Sequence, residues 1–229
     1  MKTIDIIVPV YNEERTLEEI IKKINETDYC GLEKNIIFVD DCSTDSSMAI
    51  LAKYPNYTVL HHNENKGKGS AIATGLSVSK ADIVVIQDAD LEYNPQDYQK
   101  LLPFIIKGDA QVVYGSRLSE KANRKSFLLM SFLANSFLTM LTNILYNCKI
   151  TDMETCYKAF CRSAIEEIKI NSKKFEFEVE ITAKMSKNGI KIKEVPISYN
   201  GRKFNEGKKI SAFDGLHAIW ALFYYRFFN

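Results

Sequence analysis

The sequence predicts an α/β fold with a mostly parallel central sheet flanked by helices. Strand-length apolar runs recur at residues 4–8, 36–39, 83–86 and 110–114. Segments with helix-spaced apolar residues lie between them, as in repeated βαβ units. Each run also closes on polar residues, at the strand ends where open α/β sheets take their ligands.

The first strand, Ile4-Asp5-Ile6-Ile7-Val8, is expected to stop at Pro9, which has no N–H to give a ladder. Asn12 is placed to cap the next helix. Glu13 and Glu14 suit its first turn, and Leu17, Ile20, Ile21 and Ile24 its apolar face. A second strand, Ile36-Ile37-Phe38-Val39, ends in Asp40-Asp41. Residues 43–47 cap a helix reaching Lys53, and a short strand follows near 58–60. Gly67-x-Gly69 opens a helix through Ala71, Ala73 and Leu76. Ile83-Val84-Val85-Ile86 is a buried strand with Asp88-Ala89-Asp90 straight after it. Asn94-Pro95 begins a helix in the favoured cap-then-proline order. Residues 110–114 form a further strand, closed by Gly115. Beyond Thr151-Asp152-Met153-Glu154-Thr155 a strand and a short helix are expected, then a helix over 176–187. Residues 191–199 read as a strand that Pro196 assigns to a sheet edge, and the tail from Ser211 as an amphipathic, aromatic-rich helix. One domain spanning 1–229 accounts for this organisation.

Composition narrows the function. The formal net charge of +1 argues against a nucleic-acid partner held by phosphate neutralisation. Five cysteines without a CxxC pair favour reduced thiols over a disulfide framework or zinc site. No signal peptide is visible at the N-terminus, so a cytoplasmic location is expected. The charge-free stretch 126–146 is long enough to span a bilayer. Ser126, Ser131, Asn135, Ser136, Thr139, Thr142 and Asn143 lower its hydrophobicity, so a helix lying on the membrane or inside the fold is expected.

Asp88 and Asp90, two apart at a strand end, leave from the same side and offer hard oxygens to Mg²⁺ or Mn²⁺. Glu92 is a candidate for a further oxygen. Alone, so short a pattern is better explained as a turn former. Asp40-Asp41 can accept hydrogen bonds from a base or ribose, and alone reads as well as a helix cap with Ser43. Lys66-Gly67-Lys68-Gly69 lacks the GxxxxGK[ST] spacing, which excludes a P-loop NTPase. Arg117, Arg202 and Lys208 are candidates for neutralising phosphates. Residues 199–209, with two glycines and four cations, have the composition of a lid over a diphosphate, though alone they read as a solvated basic loop. His61, His62 and His217 suggest neither a metal cluster nor a Ser-His-Asp hydrolase.

Three blocks appear in one order: Ile7-Val8-Pro9-Val10-Tyr11-Asn12-Glu13-Glu14, Val39-Asp40-Asp41-Cys42-Ser43-Thr44-Asp45, and Gln87-Asp88-Ala89-Asp90-Leu91-Glu92. With Asn65-Lys66-Gly67-Lys68-Gly69 between the last two, they resemble a family 2 glycosyltransferase of the GT-A type. Gly115-Ser116-Arg117, Thr151-Asp152-Met153-Glu154-Thr155-Cys156-Tyr157-Lys158 and Glu194-Val195-Pro196-Ile197-Ser198-Tyr199 narrow the likeness to the dolichyl- or polyprenyl-phosphate mannosyltransferase and glucosyltransferase branch.

The resemblance implies a GT-A fold and inverting hexose transfer to a lipid phosphate, GDP-mannose being the favoured donor and UDP-glucose the alternative. It places Pro9, Tyr11, Glu13, Asp40 and Asp41 around the nucleotide, and Asp88 and Ala89 against the nucleotide sugar. Asp88, Asp90 and Glu92 would hold Mg²⁺ or Mn²⁺, with Asp90 and Arg117 as the catalytic residues. Arg117 and Arg124 would meet the acceptor phosphate, and Arg202 and Lys208 the donor diphosphate. Residues 126–146 and 211–229 would face the cytoplasmic side of a membrane, leaving oligomeric state open. The alternatives are transfer to a polysaccharide or other sugar hydroxyl, a nucleotidyltransferase, and a non-catalytic nucleotide-sugar binder.

Overall fold

The computed structural model describes residues 2–119, 129–201 and 212–228. In chain order the elements are β1 (Thr3–Val10), α1 (Leu17–Glu26), β2 (Glu33–Asp40), α2 (Ser47–Leu51), β3 (Thr58–His61), α3 (Lys68–Val78) and β4 (Ile83–Ile86). A 3₁₀ turn (Pro95–Asp97) then leads into α4 (Tyr98–Ile106), β5 (Val112–Ser116), α5 (Leu129–Tyr146), β6 (Lys158–Cys161) and α6 (Arg162–Ile165). Last come α7 (Phe177–Lys187), β7 (Ile192–Pro196) and α8 (Ala212–Phe227).

Among the described residues seven strands form one sheet in the order β3-β2-β1-β4-β6-β5-β7. Of these, β6 breaks the parallel order, lying antiparallel between β4 and β5. Strand residues alternate between two apolar layers because successive side chains leave opposite faces. Ile4, Ile6, Val8 and Val10 pack with α1 and α4, whereas Ile7, Val84 and Ile86 pack with Ile72 of α3 and Phe177 and Ile181 of α7. The chain leaves β1 towards β2 and leaves β4 in the other direction, so the sheet's switch point lies between these two strands.

Several expected boundaries move. β1 runs through Pro9 to Val10, pairing Pro9 with Val39. β4 has already stopped pairing at Ile7, so the proline's missing N–H falls on an open side of the strand. Asn12 does not cap α1, which starts at Leu17. Its backbone takes a φ of 52°, and its side chain accepts from Thr44 N at 2.8 Å instead. Gly115 lies inside β5, where an added Cβ would sit 2.7 Å from Ile197 Cγ2. β7 is an edge strand, as Pro196 implied.

α5 and α8 pack together over α7 through Leu138, Tyr146, Val179, Ala218, Ala221 and Leu222. Their other faces expose Met130, Leu133, Phe137, Met140 and Ile144, and Leu216, Trp220, Phe223 and Phe227. Both sets are spaced three or four residues apart, so each forms a stripe along its helix. Among the described residues no helix is long and apolar enough to cross a membrane.

Candidate active site

At the carboxyl ends of β1 and β2 the two following loops are laced together. Asn12 N donates to Ser43 Oγ (2.9 Å), Glu13 N to Ser47 Oγ (3.0 Å) and Glu14 N to Asp45 Oδ2 (3.0 Å), while Ser46 N donates back to Glu14 Oε2 (3.0 Å). The residues expected to cap two helices thus build one wall of the crevice. Tyr11, about one-third exposed, stands at its rim.

The acidic pair behind this wall divides in role. Asp41 accepts from Lys66 N (2.9 Å), Gly67 N (2.7 Å) and His62 Nδ1 (2.7 Å), so it fixes the turn into α3. Asp40 Oδ2 accepts from Ser43 N (3.1 Å) and meets His61 Nδ1 (2.9 Å). Its Oδ1 is buried without a hydrogen-bond partner among the described residues. The Gly67-x-Gly69 turn is a packing device: a Cβ on Gly67 would lie 2.4 Å from Lys173 O, and one on Gly69 2.6 Å from Ser172 O.

Asp88 lies at the end of β4, across the switch point. Lys68 Nζ reaches both its oxygens, at 2.8 Å and 3.0 Å. Burial works to raise the Asp88 pKa, but the Lys68 charge and hydrogen bonds from Lys68 and Cys156 hold it below the usual carboxylate range. Burial likewise opposes the Lys68 charge, and Asp88, Cys156 and Glu178 outweigh it. Asp90 Oδ1 accepts from Glu92 N at 3.1 Å. Leu91 takes a φ of 64°, which turns the chain, and Glu92 Oε2 accepts from Tyr199 OH at 2.8 Å. Asp88, Asp90 and Glu92 consequently do not gather into one three-carboxylate cluster, and no such group of His, Cys, Asp or Glu forms among the described residues.

Arg117 follows β5 and is buried. Its Nε and Nη2 bind Asp152 at 2.8 Å and 2.7 Å, the backbone N of Arg117 adds a third bond, and Asn135 Nδ2 a fourth. The guanidinium also lies 5.2 Å from the Tyr199 ring centre and 6.0 Å from that of Tyr93. Burial penalises its charge, and Asp152 more than restores it. Arg124, Arg202 and Lys208 lie outside the described residues.

The 151–158 segment enters β6 and bridges these two ends. Asp152 grips Arg117, and Cys156 Sγ lies 2.8 Å from Lys68 Nζ. Buried Lys158 holds Glu178 and Thr155 O. Glu154 stands midway, its Oε1 enclosed and unpaired among the described residues. Burial first, then the charges of Glu178 and Asp152, push its pKa up to about 7 against the pull of Lys158 and Arg117. The roles of Lys68, Asp152, Glu154, Lys158 and Glu178 at the site were not assigned from composition or spacing. For Lys158 and Glu178 the signal is a charge set between apolar neighbours, in Tyr157-Lys158-Ala159-Phe160 and Phe177-Glu178-Val179.

The profile described as Glycosyl transferase family 2 matches residues 5–169. This chain belongs to that family. It is a glycosyltransferase of α/β GT-A architecture. One relative is the UDP-N-acetylglucosamine–dolichyl-phosphate N-acetylglucosaminyltransferase of Methanococcus voltae, 30% identical over 86% of this chain and 85% of that protein. Another is the dolichol-phosphate mannosyltransferase of Pyrococcus furiosus, 28% identical over 90% of this chain and 58% of the relative. Among solved structures, glucosyl-3-phosphoglycerate synthase of Mycobacterium tuberculosis, crystallised with Mn²⁺, uridine diphosphate and phosphoglyceric acid, superposes with a TM-score of 0.75. It covers 100% of this chain and 80% of its own at 22% identity, a likeness of fold.

Proposed function

We propose that this glycosyltransferase moves a hexose from a nucleotide sugar to a polyprenyl or dolichyl phosphate, with inversion at the anomeric carbon. The observation that carries the reading is the pairing of two unlike ends. The carboxylates Asp88 and Asp90 stand at the switch point, and a buried arginine, Arg117, stands after β5, with one chain segment touching both. Relatives whose names state dolichyl-phosphate acceptors support the acceptor class. Mannose from GDP-mannose is the favoured donor, with glucose from UDP-glucose second.

The donor set fits Mg²⁺ or Mn²⁺. Hard carboxylate oxygens of Asp88 already accommodate the positive charge of Lys68, and Asp90 lies two residues on. With no three-carboxylate cage among the described residues, further ligand oxygens are left to phosphate and water, as these ions prefer. Asp88 and Asp90 would hold the ion, with Glu92, whose Oε2 accepts from Tyr199 OH, the candidate for a further oxygen. Such an ion supplies charge neutralisation for the leaving diphosphate.

The protein's own groups do the rest. Asp40, whose buried Oδ1 has no partner among the described residues, lies beneath the wall that Tyr11 and Glu13 line and would support the base or ribose side of the nucleotide. Arg117, held rigid by Asp152, presents fixed positive charge to the acceptor phosphate. The stripes on α5 and α8 would lie on a membrane surface, where the lipid acceptor resides.

Thermal-shift measurements with GDP, UDP and dTDP in Mn²⁺ test the donor, because selective binding raises apparent stability by mass action. Selective stabilisation by GDP supports mannose. Transfer to a prenyl phosphate must be lost in Asp90→Ala at saturating Mg²⁺. Full activity in that variant, or a product of retained configuration, overturns the scheme.

A further inference from the structure

Each polar side chain from 152 to 158 has a partner, with one exception. Asp152 binds Arg117, Thr155 Oγ1 donates to Gly115 O (2.7 Å), Cys156 meets Lys68, Tyr157 OH donates to Asn94 O (2.8 Å), and Lys158 holds Glu178. Glu154 is part-buried, and its enclosed Oε1 has no hydrogen-bond partner among the described residues. An enclosed carboxylate oxygen without a partner is costly to keep. It sits on the segment between the Arg117 clamp and the Lys68–Asp88 contact, where an acceptor on Arg117 must meet a sugar held beside Asp88.

We propose that Glu154 is a further catalytic residue, the base that takes the proton from a monoprotonated phosphate acceptor. This rests on the phosphate-acceptor reading above. In the step the P–OH proton passes to the Glu154 carboxylate and a phosphate oxygen forms the bond to the anomeric carbon. The bond from that carbon to the nucleoside diphosphate breaks, and its electron pair leaves on the diphosphate. Glu154 then returns its proton to solvent. The surrounding charges suit a base of this kind. Burial, then Glu178 and Asp152, disfavour its ionisation, Lys158 and Arg117 favour it, and the resulting pKa of about 7 lies near the second ionisation of a phosphate monoester at about 6.

The test compares wild type with Glu154→Gln, using a water-soluble short-chain prenyl phosphate and each nucleotide sugar in Mg²⁺, across roughly pH 5 to 9. Wild type should show a bell-shaped kcat/KM with its maximum between about pH 6 and 7, as Glu154 protonates below and the acceptor ionises above. The variant should follow the acceptor's ionisation alone and stay at least about tenfold below wild type on the acid side. The gap should close near pH 8, where the dianion needs no base. A merely structural role would lower the rate equally at every pH, and that result, or an unchanged profile, overturns the proposal. Circular dichroism and donor-induced thermal shift establish that the variant folds. Glu154→Asp, which should keep the acid-side activity at a reduced rate, replaces it if it does not. Wild type active on the phosphate with an unaltered variant profile refutes Glu154 alone. Absence of wild-type transfer to any prenyl phosphate refutes the acceptor reading and this inference together.

Discussion

Asp152→Ala removes the partner of a buried guanidinium. The Asp152 carboxylate accepts from Arg117 N, Nε and Nη2 and from Asn135 Nδ2, all at 2.7 to 2.8 Å. Arg117 is only 8% exposed, so water cannot replace those bonds without opening the site. Breaking one side of a buried pair costs about 3–5 kcal/mol, because the remaining charge stays desolvated. For a chain of this size each kcal/mol moves the melting temperature by roughly 2–4 °C, so a fall of roughly 6 to 20 °C is expected. Equilibrium urea unfolding followed by circular dichroism measures the loss directly. Adding Arg117→Met removes the stranded charge and should restore most of the stability, without restoring transfer. A loss under about 1 kcal/mol in the single variant would refute this account. So would a double variant that loses the sum of the two singles.

Three further outcomes follow from particular groups. Folding raises the Glu154 pKa from 4.5 to about 7, so the native state keeps a proton that the unfolded chain releases. Its stability contribution is complete below about pH 4.5 and is lost as pH rises through about 7, a change of about 3 kcal/mol that Glu154→Gln should abolish in paired unfolding curves at either end. Gly67→Ala places a Cβ 2.4 Å from Lys173 O at a φ of +92°, and should cost about 3 kcal/mol in urea unfolding; a neutral result would mean the 171–174 segment yields freely. Trp220→Ser with Phe227→Ser removes two side chains that are 63% and 66% exposed on α8, and should weaken co-sedimentation with anionic lipid vesicles by about tenfold or more. Equal sedimentation of variant and wild type would remove α8 from the membrane reading.

Much of the sheet was legible because buried parallel strands read as continuous apolar runs, as at Ile83-Val84-Val85-Ile86. Asn12 misled because a residue favoured at helix caps is equally suited to a left-handed turn, and a partner 32 positions away decides which it becomes. The same limit governs the site. Asp88, Asp90 and Arg117 stand at strand ends, which local pattern reveals. Their partners do not: Lys68 reaches Asp88 over 20 positions and Asp152 reaches Arg117 over 35. His61 and His62, without an evident role in the sequence, meet Asp40 and Asp41 because β3 pairs with β2 in a register that sets His61 beside Asp40.

The antiparallel insertion of β6 has a mechanical consequence. It delivers Asp152 to Arg117 and Cys156 to Lys68 from a single stretch of backbone. Arg117 and the ammonium beside Asp88 are therefore held by side chains only four residues apart in the chain.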